Sequence, residues 1–312
     1  MGEVVQLELF IVTAVDPPLR DNRDTMEFPF LSRQKKRTKP ITFRKGDVSL
    51  SVHAPAEFGI ATIWDWDLII FAASHLSDAI EAGLQPKPRI KFVPYDCLHQ
   101  VGRNTGGKDY RELAQTIRRL ASTLVITNIR DHDQPDEGTE AGFHWLTRFR
   151  IAKKYTRSHI TPDAPDGEPD PARPWEIELP PWLYNAILRR RDILAVHPDY
   201  FTLTGGLERW LYRLARKAVP DKADVPAISF RMETLYKQAG VTDARRNFAI
   251  KIRKMAERQP LPEYSISIRR EENHEVVVLY RDMAKPGRVP RGYRLAVIEG
   301  KAQRDSKPAV GR

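Results

Sequence analysis

Several kinds of chemistry are missing from this 312-residue chain. A single cysteine, Cys97, leaves no internal disulfide and no thiolate zinc site to build. No stretch approaches the roughly 18 consecutive apolar residues that a membrane helix requires, so no membrane partner is expected. The eight histidines, at positions 53, 75, 99, 132, 144, 159, 197 and 274, show no helical or alternate-residue pairing. That scatter argues against a metal centre, and with it against a nicking enzyme that needs paired histidines beside a tyrosine nucleophile. The apolar patch from Val4 to Val15 has no cationic run before it and carries Glu8 inside it, which argues against a secretory signal; a cytoplasmic location is expected.

What the chain does have is basic charge. Lys and Arg number 51 against 41 Asp and Glu, a formal charge of +10, which points to a polyanionic partner. The excess is concentrated: Leu31 to Lys45 holds seven basic residues and no acid, and Ala284 to Arg312 holds eight against two. Blocks of this kind read as solvated arms or as nucleic-acid contacts.

The chain also repeats itself. Ile90, Phe92, Gln100, Gly102, Tyr110, Ala114 and Ile117 match Ile228, Phe230, Gln238, Gly240, Phe248, Ile252 and Met255 at a constant offset of 138 residues. Upstream, Ile69, Ala73 and Leu76 meet Leu207, Leu211 and Leu214 at helical spacing. Each copy reads as helix, short strand, helix, glycine turn, basic helix and strand pair, the order of a winged helix-turn-helix. The expected fold class is therefore α+β, with tandem winged helix-turn-helix domains that bind double-stranded DNA.

The division that follows from this reading has five parts. Residues 1–24 form a leader of uncertain order, and 25–157 the first winged-helix domain. Residues 158–174, with five prolines, four acids and almost nothing apolar, read as an interdomain linker. Residues 175–283 form the second winged-helix domain and 284–312 a basic tail. In the first copy Thr123–Ile129 and Gly142–Phe149 are expected to form the wing, with Arg130–Ala141 as its tip. In the second, Glu263–Arg269 and Glu275–Tyr280 do so around Arg270–His274.

Candidate contacts lie on the polar faces of the two basic helices. Lys108–Ser122 turns Tyr110, Leu113, Ala114, Ile117 and Leu120 inward, which leaves Lys108, Arg111, Gln115 and Arg118 outside. Ala244–Arg258 buries Phe248, Ile252 and Met255 and presents Arg245, Arg246, Asn247, Lys251 and Lys254. A helix fits the major groove, where arginine can hold guanine O6 and N7 together. Charged helix faces are commonly just solvated; the conjunction with a preceding glycine turn and a following strand pair is what favours contact.

Gly102-Arg103-Asn104-Thr105-Gly106-Gly107-Lys108 has the glycine and lysine spacing of a phosphate-binding loop. Asp109 stands where a hydroxyl should ligate magnesium, and an amphipathic helix precedes the loop where a buried strand is needed. No nucleotide cofactor and no catalytic residue are expected. The acidic pairs Asp65/Asp67 and Glu271/Glu272 read as a helix start and a wing tip; Asp65 is expected to cap its helix, as are Thr204 and Thr242 or Asp243 further on.

Three stretches carry a family resemblance: Met26-Glu27-Phe28-Pro29-Phe30, the run Ala54-Pro55-Ala56-Glu57-Phe58-Gly59-Ile60-Ala61-Thr62-Ile63-Trp64-Asp65-Trp66-Asp67, and Gly102 to Tyr110. With the strand Ser122 to Arg130 they make the chain resemble the plasmid replication initiator protein A family. The resemblance implies a bacterial plasmid protein that binds directly repeated origin sites (iterons), helps open the duplex and recruits host proteins such as the host initiator and helicase. It also implies that such proteins can repress their own gene as homodimers. The alternatives are a winged-helix repressor, and an ATP-hydrolysing or nicking replication enzyme.

Overall fold

The computed structural model describes residues 9–12, 16–129, 140–154, 167–189, 192–219, 227–281 and 296–297. Eight α-helices are among them. A short α1 (Arg23–Glu27) starts at Asn22, whose side chain accepts from the Asp24 and Thr25 amides. The long α2 (Trp66–Glu81) is apolar almost all round and buried almost all round, the mark of a core helix. After it come α3 (Pro94–Gln100), α4 (Gly107–Ser122), α5 (Pro181–Leu188), α6 (Gly206–Ala218), α7 (Met232–Ala239) and α8 (Arg245–Arg258).

The 138-residue offset holds through the helices. Strand Arg89–Phe92, α3 and α4 correspond to strand Ala227–Arg231, α7 and α8, while α2 precedes one set and α6 the other. The second set then closes at once: Tyr264–Glu271 and His274–Arg281 form a hairpin whose second strand pairs with Ala227–Arg231. Its tip is Glu272-Asn273, inside the span expected for it.

The first set closes differently: the expected hairpin forms between Leu124–Thr127 and Ala141–His144, but its second strand stops at His144 and the pair belongs to another sheet. Leu124–Thr127 pairs with Val48–His53, in register Val52 with Val125, and with Ala141–His144 on its other side. With Ile41–Lys45 these make a separate four-stranded sheet. The strand that pairs with Arg89–Phe92 is instead Trp175–Glu178, which also takes Arg148–Arg150 on its far edge. Residues 158–174 therefore do not join two domains. They lie between two adjacent strands of one sheet, and Glu168–Pro169 pairs with Lys153–Lys154 on the way. The composition argument missed this because Trp175 and Ile177 supply the apolar face only after the proline-rich segment ends; both are fully buried opposite Phe92 and Ile90. Residues 158–166 themselves, and most of the segment 130–141, lie outside the described residues. A cut there would open a hairpin, not release a domain.

One apolar core runs from Val12 to Leu279 through both sets of elements. Charged pairs cross it as well. Asp21 is fully buried and binds Arg213 of α6 at 2.7 Å, while Trp66 Nε1 donates to the same carboxylate at 2.7 Å. Asp67 at the start of α2 takes Arg209 of α6 at 2.6 Å and Arg103 at 2.9 Å. The leader is thus ordered where it is described: Arg20–Asn22 pairs with Ile193–Ala195, and Phe10–Ile11 runs parallel to Ile90–Lys91.

The first basic block is also not a free arm. Phe30 and Leu31 are buried, and from there the chain runs as a strap over the second half. The Arg33 guanidinium lies 5.0 Å from the centre of the Trp210 ring. Arg37 donates to Gly240 O at 2.6 Å and to the carbonyls of Lys39 and Pro40, and Gln34 donates to Thr242 Oγ1 at 2.8 Å. Gly240 sits at φ +58°, and a Cβ there would stand 2.6 Å from Pro29 Cβ, so conformation and packing both demand glycine. Of the basic tail, only Ala296–Val297 is described, pairing parallel with Ile228–Ser229.

Three expected caps differ. Asp65 turns away from its own helix and accepts from Thr62 N, Thr62 Oγ1, Thr116 Oγ1 and Arg119. Gly205, with Glu208 folding back onto its amide, begins α6 in place of Thr204. Ala244 begins α8 with no side-chain cap, because Thr242 and Asp243 are engaged by Gln34 and Lys251.

Candidate nucleic-acid interface

Helix α4 is held by its apolar side, where Leu113, Ala114, Ile117 and Leu120 are buried. Arg119 anchors it further: the guanidinium binds Asp65 at 2.7 Å and Glu112 at 2.7 Å. Burial works to lower the Arg119 pKa, but its bonds to Asp65 outweigh that and raise it, so the charge is permanent. Lys108, Arg111 and Gln115 are exposed and Arg118 is half-buried, all on the side away from the core. Arg111, Gln115 and Arg118 come together along one groove of about 490 Å³, facing Phe58 and the strand pair at Glu168–Pro169. Lys108 lies apart, in the first turn. Asp109 accepts from Gly106 N at 3.2 Å at the start of α4.

Arg111 is 3.6 Å from Glu168, with half or more of each side chain exposed. Solvent and salt screen such a pair to a fraction of a kcal/mol, so it holds Arg111 only loosely.

Helix α8 buries Phe248, Ala249, Ile252 and Met255 and exposes all five of its candidates. They split between its two flanks. Arg245 and Arg246 join Arg231, Arg253 and His274 around a cleft of about 380 Å³ against the hairpin tip. Lys251 and Lys254, with Arg33 and Arg258, border a groove of about 310 Å³ beside the start of α6. Arg245 lies 3.8 Å from Glu233, and Lys251 is paired with Asp243. The side chains of Arg246, Asn247 and Lys254 make no ion pair or hydrogen bond among the described residues, and are available to a ligand.

The buried acid between the halves is finely balanced. Desolvation raises the Asp67 pKa, and the charges of Arg209 and Arg103 oppose it without cancelling it. Cys97 is buried in the core, and burial raises the pKa of its thiol. Among the described residues no three acidic, histidine or cysteine side chains gather as metal ligands would, and no helix is long and apolar enough to cross a membrane.

Cations brought together by strand pairing escaped the sequence reading. Lys91, Arg148, Arg150 and Arg173 belong to three separate stretches and become neighbours only once Trp175–Glu178 is inserted between its partners. Their one trace in the sequence is the alternation of charged with apolar residues in Arg89–Phe92 and Trp175–Glu178.

This mixed α+β architecture is shared with solved structures. Two crystal structures of domains 2 and 3 of RctB superpose with TM-scores of 0.59 and 0.56, at 13% and 12% identity; they cover 84% and 83% of this chain, and 98% and 97% of theirs. Residues 20–266 match the model of the family Replication initiator protein A, and the chain belongs to that family. A protein of Wigglesworthia glossinidia brevipalpis whose name assigns it to replication is 28% identical over 265 residues, spanning 83% of this chain and 88% of its own.

Proposed function

We propose that this protein initiates plasmid replication by binding origin DNA as a duplex, through two winged helix-turn-helix units whose α4 and α8 enter successive major grooves. The observation that carries the reading is the placement of those helices. Each occupies the same position in an element order repeated 138 residues apart, apolar side inward and basic side outward. Membership of an initiator family supports it. Arg111, Gln115 and Arg118 on α4, with Arg246, Asn247, Lys251 and Lys254 on α8, are assigned to bases and neighbouring phosphates. Lys108 and Arg245, at the two helix starts, are assigned to phosphates alone.

In this reading the protein performs no chemical step; it binds directly repeated sites and presents them to host replication proteins. The shared core and the two buried ion pairs hold α4 and α8 in one relation, so the pair reads sites at one spacing. The test is a salt titration of binding to a fragment carrying the repeats, against a scrambled duplex. With roughly six or more phosphates neutralised, log K falls against log salt with a slope steeper than about −5, and the repeats bind more tightly than the scrambled duplex. Equal affinity for both duplexes overturns sequence-specific initiation. ATP turnover or strand nicking that disappears in Lys108→Ala, in a folded protein, would replace the binding reading with an enzymatic one.

A further inference from the structure

The late-closing sheet of the first half has a solvent face as well as a buried one. On it, Lys91, Arg150, Lys153 and Arg173 border a cleft of about 600 Å³, with Glu176 in its wall. The strand register accounts for this gathering. Glu176 stands opposite Lys91 on one neighbouring strand and opposite Arg150 on the other. Its carboxylate is taken by Arg89 at 2.5 Å. The hydrogen bond from Arg89 holds the Glu176 pKa down, and the charges of Arg89, Arg150 and Lys91 add to the effect. Arg89 thus neutralises the one acid in the cleft. The side chains of Lys91, Arg150 and Arg173 have no ion-pair partner among the described residues.

We propose that this cleft binds the sugar-phosphate backbone of the same duplex that α4 engages, as a sequence-independent contact. The inference rests on the DNA-binding reading above and adds a second surface to it. Position supports a nucleic-acid ligand. Lys153–Lys154 pairs with Glu168–Pro169; Lys153 borders the cleft, and the partner strand borders the α4 groove. The two depressions lie on either side of one narrow strand pair, so a duplex in the groove runs beside the cleft. Composition points the same way. Protein interfaces rely on aromatic and apolar anchors at their centre, whereas four cations with only Ile151, Ala152 and Pro174 as apolar neighbours suit phosphates.

The test compares the full-length protein with Lys91→Gln/Arg150→Gln/Arg173→Gln, and with a charge reversal, Arg150→Glu/Arg173→Glu. Circular dichroism and thermal unfolding verify that each variant is folded. The slope of log K against log salt should flatten by about 2 to 3 in the triple variant, roughly 0.9 for each phosphate left without its cation. Affinity for origin and scrambled duplexes should fall by the same factor, leaving their ratio unchanged. The reversal should weaken both duplexes further. If wild type binds and both folded variants keep its full slope, the cleft proposal is overturned while the reading of α4 and α8 stands. Unchanged DNA binding with loss of binding to a polyglutamate probe overturns it in favour of an acidic protein partner. Failure of the wild-type protein to bind any duplex overturns the underlying reading and the cleft together.

Discussion

The two halves of this molecule agree in their helices and part company in their sheets. From α2 and α6 through α4 and α8 the elements follow one spacing, yet the second half closes its sheet immediately with a two-residue tip. The first half leaves its sheet open after α4, builds a second sheet from Ile41–Lys45, Val48–His53, Leu124–Thr127 and Ala141–His144, and returns with Arg148–Arg150 and Trp175–Glu178. Helices with an exposed basic side are therefore the repeated part of the design. The strands beside them are where the halves became different, and that is where the additional basic cleft lies.

The comparison is broken most severely at the junction of the halves. Arg213 and Asp21 are 1% and 0% exposed. Arg213→Met should cost about 3–5 kcal/mol, because it strands a buried carboxylate. The exposed Arg111→Met, facing Glu168, should cost no more than about 1 kcal/mol. Urea unfolding measures both, and similar losses would show that the halves are not joined through this pair. Next in size are two glycines with the same backbone conformation and different surroundings. Gly46 has φ +58° and open space around it, so Gly46→Ala should cost about 1–2 kcal/mol for the conformation alone. Gly240→Ala should add about 1–3 kcal/mol for collision with Pro29. Equal effects on thermal stability would mean that the strap does not press on the turn.

Smaller changes sharpen the contrast between the helices. Arg246→Ala on α8 and Arg118→Ala on α4 should each weaken origin binding by about 1–3 kcal/mol and relax preference at different base positions. Selection from randomised duplexes reads this directly; overlapping changes would mean that the two helices do not address separate sites. The smallest effect concerns His75, which sits in α2 against Phe71 and bonds Gln100 at 2.9 Å. Burial lowers its pKa below the ordinary 6.5, so the unfolded chain binds the proton more readily than the folded one. Stability should fall as pH drops below about 6.5, and His75→Gln should remove that part of the slope. An unchanged pH profile in the variant would exclude the histidine as its source.

The parts legible in the sequence are those fixed by local spacing. Helices α4 and α8 differ from their expected bounds by only a residue at the start, because an apolar residue every three or four positions is a signal confined to one helix. Their outward residues followed from the same geometry. Strand pairing is decided at a distance. Thr123–Ile129 finds part of its expected partner in Ala141–His144, but its other neighbour, Val48–His53, lies far back in the chain and draws the pair into a separate sheet. Buried charge is harder still: nothing near Asp21 announces that Arg213, 192 residues on, will neutralise it. The block from Leu31 to Lys45 misled for a related reason. Arginine reads as surface charge, while Arg33 and Arg37 engage an indole ring and four carbonyls.

The strap sets a timetable for synthesis. Gln34 and Arg37 leave the ribosome 208 and 203 residues ahead of their partners Thr242 and Gly240. At about 5–20 residues per second, that leaves the segment waiting roughly ten to forty seconds for those two partners. During that time the nascent first half has most of its own helices and no second half to close against. A message truncated before α7 would release a product in this waiting state, with Pro29 left without the Gly240 turn it packs against. The cell would meet that fragment as a substrate for chaperones and proteases, not as half an initiator.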